Sequence, residues 1–179
     1  MRIISGTKKG FLIKGPPSVK IPGLKPMPDK VREAIFNILG NWVNGKKVLD
    51  LYAGTGAVGL EALSRGASSV TFVENSKRTV KLINDNLKKL DFRGSVFTED
   101  ATRFIKCTDE KYDLIFITPP HKEINFEVPG LAKERINKNG VIVLESDSKE
   151  DIPQFEDLDT LDQRIYGKLK ITFLKRKKY

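Results

Sequence analysis

Cysteine and histidine are nearly missing from the 179-residue chain, and long apolar runs are missing altogether. The single cysteine, Cys107, excludes an intramolecular disulfide and a multi-cysteine metal site, so we assign it no function and predict no metal. No apolar run approaches the length of a membrane span, and the first residues lack the apolar stretch of a signal peptide. We therefore expect a cytoplasmic protein that does not bind membranes.

The chain has a globular composition with an uneven charge. Hydrophobic residues make up 39% and charged residues 31%, which is typical of one soluble domain rather than of a disordered chain. The net charge is +9, yet residues 1–47 hold ten basic and two acidic residues, and residues 168–179 hold six basic residues and no acid. Two basic ends on a slightly acidic body indicate an acidic polymer as partner, although basic ends can also be solvated tails.

The N-terminal segment has the pattern of an ordered element. Apolar residues are interleaved with charges in "MRIISGTKKGFLIKG", which predicts a basic β-hairpin. A proline- and glycine-rich connector follows, so we predict a hairpin and linker over residues 1–27 and the main domain over residues 28–179. Four basic side chains of the first segment are candidate contacts for the acidic polymer: Arg2, Lys8, Lys9 and Lys14.

A helix is predicted immediately after the connector, in "DKVREAIFNIL". Val31, Ile35, Ile38 and Leu39 recur at helical spacing and form its apolar face. Asp29, just before this apolar pattern, is the predicted N-cap.

From residue 46 onward, short apolar strands alternate with helical segments. The predicted strands are "KKVLDLYA", "SVTFVE", "SVFTED", "YDLIFI" and "GVIVLES", and an interrupted helix is predicted in "FEVPGLAKERIN". This alternation predicts βαβ crossovers and a mostly parallel sheet. The last segment, "RIYGKLKITFLKRKK", predicts two strands around Gly167 and an antiparallel end to the sheet.

A glycine-rich loop lies between the first of these strands and its helix. Gly54, Gly56 and Gly59 form a G-x-G-x-x-G pattern, and Glu74 follows Gly54 by twenty residues, at the end of the next strand. The first two glycines allow a sharp turn and a close approach of the backbone to a ligand, and Gly59 allows helix and strand to pack closely. A carboxylate at the position of Glu74 can accept hydrogen bonds from ribose hydroxyls.

Two aspartates refine the identity of that ligand. Asp50 lies inside the strand before the loop, where a carboxylate is costly unless it is paired. A cofactor with a cationic amino-acid end, as in S-adenosylmethionine but not in NAD, would justify Asp50, and so would hydrogen bonds that tie down the loop. Asp100 ends the third strand, where it can accept the adenine amino group, cap a helix, or do both.

Taken together, these stretches resemble the RsmD-type bacterial methyltransferases, which methylate the exocyclic N2 of a guanine in small-subunit ribosomal RNA. The resemblance covers most of the chain. It rests on "MRIISGTKKG", "KPMPDKVREAIFNIL", "VLDLYAGTGAVGLEALSRGA", "YDLIFITPPH" and "RIYGKLKITFLKRK". The glycine loop alone would indicate only a class I methyltransferase.

The resemblance implies a Rossmann-like α/β fold with a mostly parallel seven-stranded sheet whose last strand is antiparallel. It implies S-adenosyl-L-methionine as cofactor and ribosomal RNA or the 30S subunit as partner, and we expect a monomer. It implies that residues 29–37 pack near the cofactor, with Arg32 and Glu33 as candidates there or on a solvated helix face. The expected cofactor contacts are Asp50, Ala53, Gly54, Thr55, Gly56, Glu74, Asn75, Asp100 and Ala101.

The same resemblance places the catalytic tetrapeptide at the end of "YDLIFI", where it comprises Thr118, Pro119, Pro120 and His121. The family has an acidic residue at the first position and an aromatic one at the fourth. A hydrogen-bond acceptor at the first position aims the amine lone pair at the methyl group, and the fourth side chain stacks on the base. Thr118 keeps an acceptor but brings no charge, whereas His121 can still stack.

Four interpretations follow from the sequence. The first is an active S-adenosylmethionine-dependent methyltransferase acting on an exocyclic amine of ribosomal RNA. The second is a degenerate relative that binds cofactor and RNA but transfers methyl groups weakly or not at all, because Thr118 replaces the acid. The third is a DNA or protein methyltransferase on the same scaffold, and the fourth is a nicotinamide oxidoreductase.

Overall fold

The computed structural model describes residues 1–15, 26–120 and 124–177. Helices cover both faces of one seven-stranded sheet whose strand order is β3-β2-β1-β4-β5-β7-β6. The strands are β1 (Lys47–Leu51), β2 (Ser69–Glu74), β3 (Ser95–Thr98), β4 (Tyr112–Ile117), β5 (Ile136–Asp147), β6 (Leu158–Tyr166) and β7 (Leu169–Arg176). The helices are α1 (Asp29–Leu39), α2 (Ala57–Ser64), α3 (Lys77–Leu90), α4 (Ala101–Cys107) and α5 (Glu127–Ala132), with a 3₁₀ turn over Gly40–Val43.

Strand direction confirms the predicted fold class. Strands β1 to β5 pair in parallel, whereas β7 pairs antiparallel with both β5 and β6. Strand β2 pairs with one side of β1, and β3 pairs with β2 farther out on that side. Strand β4 then pairs with the other side of β1. The carboxyl ends of β1 and β4 therefore flank the point where the strand order reverses, which is where ligands bind in open α/β sheets.

The sheet separates two apolar cores, and alternation along β4 shows why. Leu114 and Phe116 pack into a first core with α1, α2 and α3, whereas Ile115 and Ile117 pack into a second core with α4 and α5. Because both faces are covered, β4 is an almost continuous apolar run, as parallel strands usually are. None of the helices in the described parts of the chain is long and apolar enough to cross a membrane.

Helix α1 differs from its prediction in two details. Phe36 is fully buried in the first core, whereas Ile38 is 43% exposed, so the apolar face is rotated toward Phe36. Asp29 is not the N-cap, because Pro28 occupies that position and no side chain caps the helix. The Asp29 carboxylate instead accepts a hydrogen bond of 3.0 Å from the Arg32 guanidinium, one turn later.

The interrupted helix predicted in "FEVPGLAKERIN" is also shorter than expected. Helix α5 ends at Ala132, and Ile136, which the pattern assigned to the helix, begins β5. Ile136 is fully buried and pairs with Tyr112 before a register shift in the β4–β5 ladder. Burial of an isoleucine beside an aromatic strand residue therefore overrides the local helical pattern.

The predicted N-terminal β-hairpin is not confirmed as a pair of strands. Residues 1–15 do fold back on themselves, but they form only one isolated antiparallel bridge, between Arg2 and Leu12. Ile3 and Ile13 are buried in the first core, and a Cβ on Gly6 would lie 1.8 Å from the Ser64 carbonyl oxygen. The segment therefore packs tightly on α2, and its division from the main domain stays a prediction, since residues 16–25 of the linker lie outside the described residues.

A buried charge cluster of Arg32, Glu61 and Arg65 holds this segment in place. The Glu61 carboxylate accepts hydrogen bonds from the backbone N–H groups of Ile4 and Ser5, at 2.8 and 3.0 Å, and from Arg65 Nε at 2.7 Å. Arg32 Nε lies 3.9 Å from Glu61, too far for a hydrogen bond but close enough for charge attraction. Arg32 therefore lies neither on a solvated face nor at the cofactor site, whereas Glu33 is exposed.

Candidate active site

A cavity of about 440 Å³ opens at the carboxyl ends of the central strands. Its volume falls within the range that holds a nucleoside-sized ligand. Most of the residues predicted for the cofactor and catalytic sites line this one cavity. They are Ala53, Gly54, Thr55, Glu74, Asn75, Asp100, Ala101, Thr118, Pro119 and Pro120.

Three predicted residues are not among those that line the cavity. Asp50 lies beneath the glycine loop, in strand β1, and Gly56 belongs to the loop as the N-cap of α2. His121 lies outside the described residues. The roles assigned to all of these side chains from the sequence stay predictions.

The backbone of the loop explains its glycines. Gly54 and Gly56 have φ values of 54° and 77°, in the left-handed region that favours glycine. A Cβ on Gly59 would lie 2.2 Å from Phe72 Cε1, so α2 contacts β2 as closely as predicted. Tyr52, which also lines the cavity, has a φ of 66°, a strained value for a residue with a side chain.

Asp50 is the buried support of this loop. Its side chain is 1% exposed, and Oδ2 accepts a hydrogen bond of 3.0 Å from the Gly59 N–H, in the first turn of α2. Within residues 1–15, 26–120 and 124–177, its Oδ1 has no hydrogen-bond partner. Burial raises the pKa of Asp50 to about 7, with a further increase from the negative charge of Glu74 and an opposing effect of the Gly59 hydrogen bond. A cation near Oδ1 would favour the charged form.

Glu74 connects the glycine loop to the start of α3. Its Oε2 accepts a hydrogen bond of 3.0 Å from the Gly54 N–H, and its Oε1 accepts one of 2.9 Å from the Ser76 N–H. Both oxygens therefore have fixed positions in the cavity wall, and each can accept one more hydrogen bond. This is the arrangement that a pair of vicinal ribose hydroxyls requires.

Asp100 performs the capping role that was one of its two predicted roles. Its Oδ1 accepts a hydrogen bond of 2.9 Å from the Arg103 N–H and caps α4. Its backbone N–H donates to Glu99 Oε1 at 3.2 Å. Because Asp100 is exposed and lines the cavity, the capping bond leaves its second oxygen accessible to a donor on a ligand.

The charge of the cavity decides which ligands suit it. Four carboxylates line it: Glu74, Glu99, Asp100 and Glu145. Among the lining residues in the described parts of the chain there is no lysine or arginine. A ligand with net positive charge is therefore favoured, and a pyrophosphate would be repelled.

Two functional side chains were missed from the sequence. Glu145 is 7% exposed near the carboxyl end of β5 and lines the cavity, and its position directly after an apolar run is the signal that could have identified it. Asn86 is fully buried on α3, where it donates to the carbonyl oxygens of Lys14 and Thr55 at 3.1 and 3.2 Å. It thus joins the N-terminal segment to the glycine loop, and no pattern in the sequence indicated this link.

The candidate RNA contacts lie on the N-terminal segment, which Asn86 joins to the glycine loop. Arg2, Lys9 and Lys14 are exposed, and Lys8 is half-buried, with its Nζ 5.6 Å from the centre of the Phe11 ring. Lys14 forms a 3.0 Å ion pair with an exposed aspartate of α3. Three of the four cations are thus available to a polyanion at the surface.

Comparisons with known proteins agree with this geometry. The family described as "Conserved hypothetical protein 95" matches residues 1–175. The chain is 33% identical to a Bacillus subtilis protein provisionally named rRNA methyltransferase YlbH, over 99% of this chain and 100% of that protein. It is 34% identical to the ribosomal RNA small subunit methyltransferase D of Buchnera aphidicola, over 84% of this chain and 80% of that protein.

Solved structures show the same similarity. The Escherichia coli protein yhhF, provisionally called a methyltransferase, superimposes with a TM-score of 0.89 at 26% identity, covering 100% of this chain and 99% of that one. A Thermus thermophilus protein, TTHA0928, superimposes with a TM-score of 0.81 at 26% identity, covering 98% of this chain and 99% of that one.

Proposed function

The chain belongs to the RsmD-type family described as "Conserved hypothetical protein 95", and on that premise we propose that it is an S-adenosylmethionine-dependent methyltransferase of ribosomal RNA. Membership of this family confirms the resemblance found in the sequence. The proposed acceptor is an exocyclic amino group in small-subunit RNA, with guanine N2 as the specific site. The similarity to the methyltransferase D of Buchnera aphidicola supports the choice of subunit.

The acidic cavity is the observation that carries the proposal. S-adenosylmethionine supplies an activated methyl group on a positively charged sulfur and carries no phosphate. The four carboxylates of the cavity attract such a ligand, whereas the pyrophosphate of NAD would meet only negative side chains among the described lining residues. This charge pattern disfavours the nicotinamide oxidoreductase.

The residues of the cavity have separate tasks in binding. Glu74, held by the Gly54 and Ser76 amides, accepts hydrogen bonds from the ribose hydroxyls. Asp100 accepts one from the adenine amino group with the oxygen that does not cap α4. Asp50 supports the loop from below, and its buried Oδ1 favours a cationic group nearby. The loop glycines let the backbone approach the cofactor closely.

Thr118, Pro119 and Pro120 form the side of the cavity where the target base is placed. The Thr118 hydroxyl accepts a hydrogen bond from the amino group, and the two prolines fix the backbone without adding competing donors. Rate acceleration here comes mainly from alignment of the amine with the methyl group and from stabilisation of the charge that develops on nitrogen.

Ribosomal RNA is favoured over DNA or protein as the substrate for two reasons. Both curated relatives described above are named as rRNA methyltransferases, so the comparisons give no support to a degenerate, inactive relative. The exposed cations of the N-terminal segment, which Asn86 joins to the glycine loop, suit a phosphate backbone.

Methyl transfer to 30S particles tests the proposal directly. Particles from a strain that lacks this protein should accept radiolabelled methyl groups, and the modified nucleoside should be N2-methylguanosine by mass spectrometry. Faster methylation of an unrelated DNA duplex than of 30S particles would contradict the choice of substrate.

Calorimetry separates cofactor binding from catalysis. S-adenosylmethionine should bind at micromolar concentrations and NAD should not bind detectably. The Glu74→Gln variant should bind S-adenosylmethionine about tenfold more weakly, because charged hydrogen bonds to the ribose are replaced by neutral ones. Equal affinity for NAD and S-adenosylmethionine would contradict the electrostatic argument.

A further inference from the structure

Glu145 is a buried carboxylate in the cavity wall to which the binding scheme above gives no task. It is 7% exposed and lies near the carboxyl end of β5, two residues before Asp147, and β5 is the strand next to β4. A carboxylate at such a depth carries a desolvation cost that other interactions must offset. It is one of the four carboxylates that line the cavity.

Strand register places Glu145 beside Thr118. In the β4–β5 ladder Phe116 pairs with Val143, and Ile117 pairs with Leu144. The residue after Ile117 is Thr118, which immediately follows β4, and the residue after Leu144 is Glu145 in β5. Neighbouring strands lie about 4.8 Å apart, so the two side chains start from adjacent points at the edge of the sheet.

The two side chains also lie on the same face of the sheet. Phe116 and Val143 both pack in the first core, whereas Ile117 and Leu144 both pack in the second. Because side chains alternate along a strand, Glu145 returns to the first face, and its antiparallel partner Ile171 is a member of the first core too. Glu145 and Thr118 both line the cavity.

The other carboxylates of the site are less suitably placed for an amine at Thr118. Glu74 ends β2, and Glu99 and Asp100 follow β3, and these strands are two and three places away from β4 in the sheet. Asp50 is on the adjacent strand β1, but it pairs with Phe116, deeper in the sheet, and hydrogen-bonds the Gly59 amide. Glu145 is thus the cavity carboxylate that the β4–β5 register brings beside Thr118.

We propose that Glu145 is a catalytic residue whose carboxylate accepts a hydrogen bond from the target amino group while Thr118 accepts the other. This inference rests on the methyltransferase function proposed above. The nitrogen lone pair forms the new N–C bond as the C–S bond breaks, and the sulfur keeps the electron pair of that bond. The nitrogen then carries a positive charge, and it becomes neutral by losing one proton to Glu145, which releases the proton to water.

The test measures single-turnover methyl transfer to 30S particles and the dissociation constant of S-adenosylmethionine. Glu145→Gln should lower the rate about a hundredfold or more while the dissociation constant stays within about threefold. Asp147→Asn is the matched control, because it removes a carboxylate from the same strand, two residues farther along and outside the lining residues. Its rate should equal that of the wild type.

A relocated carboxylate distinguishes catalysis from a structural role. The double variant Thr118→Asp, Glu145→Gln should transfer methyl groups at least tenfold faster than Glu145→Gln alone, since it restores a negative charge on the adjacent strand. Should Glu145→Gln fail to fold, Glu145→Asp replaces it, and a rate about tenfold below wild type with unchanged cofactor affinity supports the proposal.

Four outcomes overturn the proposal, and the last of them also refutes the proposed function. If the wild type is active and Glu145→Gln matches Asp147→Asn, or if the double variant recovers nothing, Glu145 is not catalytic and the proposed function stands. An unchanged rate in Glu145→Asp, where that variant is the one used, has the same meaning. A wild type that binds cofactor but never methylates 30S particles refutes the proposed function itself, and this inference with it.

Discussion

Replacement of Glu61 by glutamine should lower the free energy of unfolding, because it removes the negative charge from the cluster of Arg32, Glu61 and Arg65. Glu61 and Arg32 are both fully buried, and Glu61 accepts hydrogen bonds from Ile4, Ser5 and Arg65. Glutamine keeps one acceptor oxygen but turns an NH₂ group toward a donor, and it removes the buried negative charge beside Arg32, which then keeps only its ion pair with the half-exposed Asp29 among the described residues. Removing one member of a buried ion pair costs about 3–5 kcal/mol of the free energy of unfolding.

Urea denaturation followed by circular dichroism measures this loss. For a chain of this length the same change corresponds to a fall in melting temperature of roughly 10 °C. Amide hydrogen exchange adds a local readout, because the Ile4 and Ser5 amides should exchange faster in the variant. Glu127→Gln is the matched control, since its ion pair with Lys106 is half-exposed on both sides and its loss should leave the unfolding midpoint unchanged.

The outcome can refute the reasoning in two ways. A free energy of unfolding within about 1 kcal/mol of the wild type would mean that Arg32 is not held by Glu61. Normal stability with fast exchange at Ile4 would mean that the cluster fixes the N-terminal segment without supporting the core.

Three further predictions concern packing, protonation and RNA. Gly59→Ala should lower the free energy of unfolding by about 1–3 kcal/mol, because its Cβ would overlap Phe72, and thermal denaturation measures this. Asp50 has a folded pKa raised to about 7, so the stability it contributes is fully present below pH 4 and is lost as the pH rises to 7. The stability of the wild type minus that of Asp50→Asn, from urea titrations at each pH, should therefore fall across this range by up to about 4 kcal/mol. Lys8→Ala combined with Lys9→Ala should weaken RNA binding and reduce its logarithmic salt slope by about 1–2, as measured by fluorescence anisotropy.

Matched variants control two of these experiments. Gly130→Ala adds a methyl group in α5 with no atom within 4 Å, so it should not destabilise the protein. Lys138→Ala removes an exposed lysine near the start of β5, at the opposite end of that strand from the cavity, and should leave the salt slope unchanged. Equal stability of the Gly59 and Gly130 variants would contradict the packing argument. A stability difference between wild type and Asp50→Asn that does not change with pH would contradict the argument on protonation. Equal salt slopes for the lysine variants would contradict the argument on RNA binding.

The parts of the fold that follow local rules could be predicted from the sequence. The glycine loop, Gly59 against the sheet, the Ser76 cap of α3 and the antiparallel end all depend on spacing or on single-residue conformation. Features set by distant contacts could not be predicted. Ile136 joins a strand because Tyr112 lies beside it, and the buried Arg32 donates a hydrogen bond to the Arg2 carbonyl, thirty residues earlier, and lies 3.9 Å from Glu61.

The same distinction applies to the site. Glu74, Asp100 and Thr118 follow apolar runs, so their place at strand ends could be predicted from the pattern. Glu145 also ends an apolar run, but its importance depends on which strand is its neighbour. Strand order is a property of the folded sheet, and it alone brings Glu145 next to Thr118.

The insertion of β7 between β5 and β6 has a consequence for the order of folding. The β6–β7 hairpin closes through a short turn at Gly167, so it can form early and then attach to β5 as a unit. Until it attaches, β5 presents an open edge of unpaired amides, which is a template for aggregation. The strand that carries Glu145 is the one at risk, so slow attachment of the hairpin would delay completion of the cavity and expose the chain to misassembly at the same edge.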